Sequence, residues 1–251
     1  MKTTKPFSLT YVRYPKQSLL SHKLLALASL QPIFTACMTC SQLFTNREIS
    51  DFAHTIGYIL NELIAQSLKW KFKRERPKSC FEVDFCETHG MPSSHSQLAF
   101  YNCTYTVLLF LRRKKHVERI KNERNGIYKD SENMNLDKIS VLLSISTVPI
   151  GFLVAISRVE LGYHTVEQVV AGGVFGSLFG VVWYFVTCEF FLKRFNALTE
   201  ENRFGNFLRD TLSIRDSSLC ANPLGLSRER VELENAAFPL RFAAETNNKD
   251  D

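Results

Sequence analysis

Between Leu24 and Thr45 no side chain carries a charge. A helix of that length crosses a hydrocarbon core, which takes about 20 residues. Pro32 falls inside the stretch and is expected to kink it. Four further apolar stretches follow. Phe52 to Leu68 is interrupted by His54, Asn61 and Glu62, and a carboxylate there must face the bundle interior or a wet cavity. Ser96 to Leu111 is apolar and aromatic and stops at Arg112-Arg113-Lys114-Lys115. Ile139 to Ile156 and Val169 to Cys188 complete the set. The chain therefore reads as an all-α, multi-pass transmembrane helical bundle of about five spans. The mean hydropathy of −0.09 conceals this, because polar and apolar residues are segregated along the chain. Gly172, Gly176 and Gly180 recur every four residues, a pattern that lets a neighbouring helix approach closely.

Three regions are expected: an N-terminal segment over 1–23, a transmembrane domain over 24–195 with a basic loop at 112–138, and a polar tail over 196–251. The first twenty-odd residues carry charges and tyrosines instead of a basic run followed by an apolar one, so membrane entry falls to the internal helices. Lys and Arg outnumber Asp and Glu in 112–138, which puts that loop in the cytosol. The loop from Lys69 to Ser94 and the turn from Ser157 to Val166 then share the opposite face. A formal net charge of +6 suits anionic lipid or a phosphate-bearing substrate. No motif points to nucleic acid. Cys37 and Cys40 form a C-x-x-C without a second pair, so packing inside a helix is the better reading than zinc or redox chemistry. Cys80 and Cys86 lie in a polar loop and could pair in an oxidising lumen.

Three short blocks hold the chemistry, each beside an apolar span: Lys69 to Pro77, Pro92 to His95, and Ser157 to Gln168. Phosphoryl transfer requires that the anionic oxygens be held, and guanidinium forks and a lysine do this. Lys69, Arg76 and Arg158 are the candidates. Ser93 and Ser94 open an apolar helix and can add hydroxyl and amide donors. An in-line nucleophile and an acid for the leaving oxygen are also needed, and His95 and His164 can divide that work. Gln168 lies four residues beyond His164 on the same helical face, and its amide oxygen could fix the imidazole tautomer. A lone basic residue at a membrane boundary is commonly an anchor, and a Ser-Ser pair a helix cap. The order of all three blocks carries the weight here.

The blocks resemble the three-part signature of the type-2 phosphatidic acid phosphatase superfamily: K-x6-RP, PSGH and SR-x5-H-x3-D. Lys69, Arg76 and Pro77 match the first part, and Pro92, Ser93 and His95 the second, with Ser94 in place of glycine. Ser157, Arg158 and His164 match the third, with Gln168 in place of aspartate. Within that superfamily the chain is similar to the dolichyldiphosphatase family, whose second and third blocks look like Gly90 to Gln97 and Ser157 to Val169. The N-terminal Phe7 to Pro15 and the tail segment Ile214 to Leu219 add to the likeness.

The resemblance implies a helical bundle of the phosphatase/haloperoxidase type in the endoplasmic reticulum membrane, with the site facing the lumen. It implies hydrolysis of dolichyl diphosphate to dolichyl phosphate and phosphate, which recycles the lipid carrier of protein N-glycosylation. His164 would be the nucleophile, His95 the general acid and base, and Gln168 the group that orients His164. Lys69, Arg76, Ser93, Ser94 and Arg158 would bind phosphoryl oxygens, with no cofactor and no metal. A neutral glutamine stabilises a cationic imidazole less than a carboxylate does, which an anhydride substrate with its better leaving group tolerates. The competing readings are a broader lipid phosphate phosphatase and a catalytically silent lipid-binding protein. A transporter would explain Glu62, but the chain has no inverted repeat.

Overall fold

The computed structural model describes residues 4–6, 12–15, 20–45, 47–81, 88–123 and 131–192. The expected polar tail and Cys86 lie outside the described residues. Six helices run in the order α1 (Leu20–Ala28), α2 (Gln31–Thr45), α3 (Ile49–Phe72), α4 (Ser94–Glu123), α5 (Ser131–Glu160) and α6 (Val166–Val186). A π turn over Thr187–Leu192 extends the last helix, and a 3-10 turn over Lys78–Phe81 follows α3. The all-helical expectation holds for the bundle. It is joined by one small strand pair, β1 (Thr4–Pro6) against β2 (Arg13–Pro15), antiparallel with Lys5 opposite Tyr14.

Two departures from the sequence reading have local causes. The uncharged stretch 24–45 is two helices, not one kinked helix. Pro32 stands in the first turn of α2, where its missing N–H costs nothing, and the chain turns at Ser29 and Leu30 ahead of it. The basic segment 112–138 is largely helical: α4 continues to Glu123 and α5 has already begun at Ser131. Lys, Arg and Glu are good helix formers, so a helix that leaves an apolar stretch has no reason to stop at them.

The helix ends that matter are well defined. α3 carries Asp51 in its first turn and Lys69 and Lys71 in its last, matching charge to the helix dipole. It stops at Lys73 in the left-handed region (φ 47°), whose N–H returns to Lys69 O. α5 ends at Gly162 (φ 79°), whose N–H returns to Val159 O. α6 opens on a capping box in which Thr165 Oγ1 accepts from Gln168 N while Gln168 Oε1 accepts from Thr165 N.

Large apolar side chains face outward from the bundle while several polar ones lie inside it. Leu63, Phe152, Val170 and Phe185 are each more than half exposed, whereas Asn61, Gln97, Ser93 and Ser157 are fully buried. Two helical segments, Leu20–Thr45 and Val166–Phe191, are long and apolar enough to cross a membrane by length and composition. The tightest contact is between α4 and α6, and the glycine stripe explains it. A Cβ at Gly172 would stand 2.4 Å from Ser93 O, and one at Gly176 would stand 2.1 Å from Gln97 O. The glycines serve packing, as their spacing suggested. Cys37 and Cys40 are exposed free thiols on α2.

Candidate active site

Four helix ends meet at one end of the bundle: the C-termini of α3 and α5 and the N-termini of α4 and α6. Lys69 in the last turn of α3 is buried, and its Nζ donates to Ser94 Oγ at 3.1 Å. Ser93 N donates to Gln168 O at 2.9 Å, fastening the start of α4 to the start of α6. Ser93 itself is fully buried, and Ser96 Oγ donates to its hydroxyl.

Arg76, on the loop after α3, is held on three sides. Its Nε donates to Thr88 O at 2.9 Å, its Nη2 to Thr88 Oγ1 at 2.8 Å, and its Nη1 to Tyr163 O at 3.0 Å. The same Nη1 stands 3.3 Å from His164 Nε2. Arg158, in the last turn of α5, is 3 % exposed and donates from Nη1 to Ser29 Oγ at 2.6 Å. Its guanidinium carbon lies 3.9 Å from the centroid of the Tyr163 ring. His95, second residue of α4, is half-buried and within electrostatic range of Arg158, His164, Lys69 and Arg76.

The tautomer of His164 follows from its neighbours. Gln168 Nε2 donates to the carbonyl of Glu75 at 2.7 Å, and Gln168 Oε1 accepts from Thr165 N at 3.3 Å. A carbonyl can only accept and an amide N–H can only donate, so the side-chain amide has one orientation. Its oxygen then faces His164 Nδ1 at 3.1 Å, and Nδ1 must carry the proton. The lone pair is left on Nε2, where it accepts from Arg76 Nη1 at 3.3 Å. Burial, aided by Arg158 and Arg76, holds His164 well below its ordinary value of 6.5, against the opposing hydrogen bond to Gln168. Burial also lowers Arg76, to about 10, which leaves it cationic at neutral pH. A neutral imidazole beside these cations can attack an electrophilic phosphorus once Arg76 Nη1 turns from Nε2 to a phosphoryl oxygen.

The structure thus brings all eight residues singled out from the sequence to one end of the bundle: Lys69, Arg76, Ser93, Ser94, His95, Arg158, His164 and Gln168. Sequence reasoning missed the groups that hold them. Thr88 grips Arg76, Ser29 grips Arg158, and Tyr163 touches both arginines. Gly90 lies flat against the Gln168 amide, where a Cβ would stand 2.5 Å from Nε2. Gly90 was visible as part of the second block, but its contact is not encoded by spacing. Ser79 Oγ donates to Gly162 O at 3.0 Å, and the adjacent Cys80 is disulfide-bonded, its expected partner Cys86 lying outside the described residues. Among the described residues no three His, Cys, Asp or Glu side chains come together in a metal-binding group.

The sequence matches the PAP2 superfamily over residues 52–191, a stretch that contains all eight residues. The chain belongs to the PAP2 superfamily. Among relatives, it is 33% identical to Dolichyldiphosphatase 1 of Mus musculus over 88% of this chain and 85% of that protein. It is 32% identical to Lipid phosphate phosphatase gamma of Arabidopsis thaliana over 84% of this chain and 87% of that protein. It is 31% identical to Dolichyldiphosphatase of Saccharomyces cerevisiae over 72% and 70%, respectively. No solved structure matches the chain at a significant level. The PAP2 superfamily match begins within α3, so α1 and α2 lie outside it.

Proposed function

We propose that this protein is a metal-independent dolichyldiphosphatase that works through a phosphohistidine. The observation that carries the reading is the clamp on His164: Gln168 takes Nδ1–H and leaves the Nε2 lone pair facing a ring of cations. In the first step Nε2 attacks the terminal phosphorus and the bridging P–O bond breaks. His95 gives its proton to the departing lipid phosphate. In the second step His95 takes a proton from water, the hydroxide attacks phosphorus, and the N–P bond breaks to release inorganic phosphate and restore His164. Lys69, Arg76, Arg158, Ser93 and Ser94 hold the equatorial oxygens through both steps. The positive charge of Lys69, Arg76 and Arg158 does what a metal ion does in other phosphatases.

The same reading takes 24–195 as the phosphatase domain, with α1–α2, α3, α4, α5 and α6 as five spans of the endoplasmic reticulum membrane. The site end faces the lumen. The basic run at Arg112, on the far end of the bundle, supports a cytosolic far end. The disulfide at Cys80, beside the site, supports an oxidising compartment on the near side. A product that returns to the dolichyl phosphate pool would serve protein N-glycosylation.

The test is phosphate release from polyprenyl diphosphate by the full-length protein in detergent with excess chelator, beside His164→Ala. Release that survives chelator and falls at least about a thousandfold in the variant is expected. Release abolished by chelator, or unchanged in the variant, sinks the mechanism. The Arabidopsis relative favours a second reading, a broader lipid phosphate phosphatase. Turnover of phosphatidic acid at a rate equal to that of polyprenyl diphosphate would select it.

A further inference from the structure

Ser29 stands at the break between α1 and α2, outside the stretch matched by the superfamily, and is fully buried. Its only role as a cap would be local, yet its Oγ takes a 2.6 Å hydrogen bond from Arg158, 129 residues away. Val12, Ala26 and Leu30 pack with Leu161 and Tyr163, so the first helix is fastened to the turn that carries His164. A guanidinium can fork around a phosphate with its Nη1–Nη2 end or with its Nε–Nη2 side. Ser29 engages Nη1, and the Tyr163 ring covers one face of the group in a cation–π contact. Arg158 Nε is shut off from solvent and has no hydrogen-bond partner among the described residues. A buried charged donor left without an acceptor is costly, and a substrate oxygen would relieve it.

We propose that Ser29 and Tyr163 are positioning residues that turn the Nε side of Arg158 toward the phosphoryl oxygens. The inference rests on the phosphatase reading above and adds that α1 and α2 are part of the active-site machinery. Ser29 would not touch substrate; it acts through Arg158.

The full-length protein in detergent is assayed on polyprenyl diphosphate. Ser29→Ala is expected to lower kcat about ten- to thirtyfold with KM within about twofold, and to weaken inhibition by orthovanadate, a mimic of the five-coordinate phosphorus, by a similar factor. Ser29→Thr keeps the oxygen and is expected to restore at least about half of the rate. In an Arg158→Lys background, which has no Nε side to orient, Ser29→Ala should cost less than about twofold. An equal loss in both backgrounds, or unchanged orthovanadate affinity, overturns the proposal. If Ser29→Ala is not monodisperse, Ser29→Gly carries the same expectations, since the residue lies between helices. If the unmodified protein releases no phosphate, the phosphatase reading fails by itself. Orthovanadate binding followed by tryptophan fluorescence then decides the Ser29 inference alone, with the same shift expected.

Discussion

Each end of the bundle holds a histidine packed among helices, and the two differ in what surrounds them. At one end His164 has a defined tautomer, a lone pair on Nε2 and three cations nearby. At the other end His54 lies between rings, stacked on Tyr105 with centroids 4.8 Å apart and planes 11° apart, and near Tyr101 at 5.9 Å. Its Nε2 is shut off from solvent with no hydrogen-bond partner among the described residues, while its side chain hydrogen-bonds Asn102. No arginine or lysine reaches it through any described contact, and its backbone carbonyl serves as an acceptor for Tyr101 OH. Burial alone therefore does not make a reactive histidine. The surroundings of His164 supply a proton acceptor on one nitrogen and anion-holding groups around the other, and those of His54 supply ring packing and the Asn102 hydrogen bond.

The largest test of this contrast after the loss of His164 itself is Arg76→Lys. A lysine keeps the charge but cannot bond Thr88 O, Thr88 Oγ1 and Tyr163 O together, so kcat is expected to fall about a hundredfold, measured as phosphate release. A loss below about threefold would mean that charge without geometry suffices. Next comes Gln168→Glu, which sets a carboxylate oxygen against the Glu75 carbonyl and is expected to cost about tenfold. Gln168→Asp should also lose rate, because the shorter side chain gives up Glu75. Its ratio of monoester to diphosphate turnover should nevertheless rise, since a carboxylate steadies the cationic imidazole. An unmoved ratio removes the argument that an anhydride substrate excuses the glutamine.

The pH profile sharpens the same comparison. His164 attacks as the neutral base, and its folded value is held below 6.5, so kcat/KM is lost only as pH falls through that lowered value. Activity should hold from pH 7 down past 6.5, and an acid limb beginning at or above 6.5 contradicts the assigned environment. The smallest effect is expected from His54→Phe, which keeps the stacking on Tyr105. Turnover should change less than about twofold, and a larger change with an intact melting profile would give the far end a part in catalysis.

How much of this was legible in the sequence depended on whether a role travels with spacing. The three blocks announced their residues because each sits within a few positions of a helix end, and antiparallel helices bring alternate ends together. Gln168 was readable as the partner of His164 because i and i+4 share a helical face. Ser29 was not readable, since nothing local links a serine in an apolar stretch to an arginine 129 residues on. Thr88 and the Glu75 carbonyl belong to loops whose course no periodicity fixes. Pro32 in an apolar stretch fits a kink within one helix and equally the start of a new one, and spacing does not choose between them. The basic segment after Leu111 has the charge of a loop and the helix propensity of its Lys, Arg and Glu, and the propensity prevails in α4 and α5.

The glycine stripe has an electrical consequence. Ser93, just ahead of α4, and Gln97 and Tyr101 within it meet Gly172, Gly176 and Gly180 of α6 in the same order, so the two helices run parallel at close quarters. Parallel helix dipoles repel one another, and here both positive ends point to one spot, between Ser93 and Thr165. The arrangement is a loaded pair that an anion at that spot discharges. An anion held there would offset that repulsion at the first turns of α4 and α6, where the dipole field is concentrated.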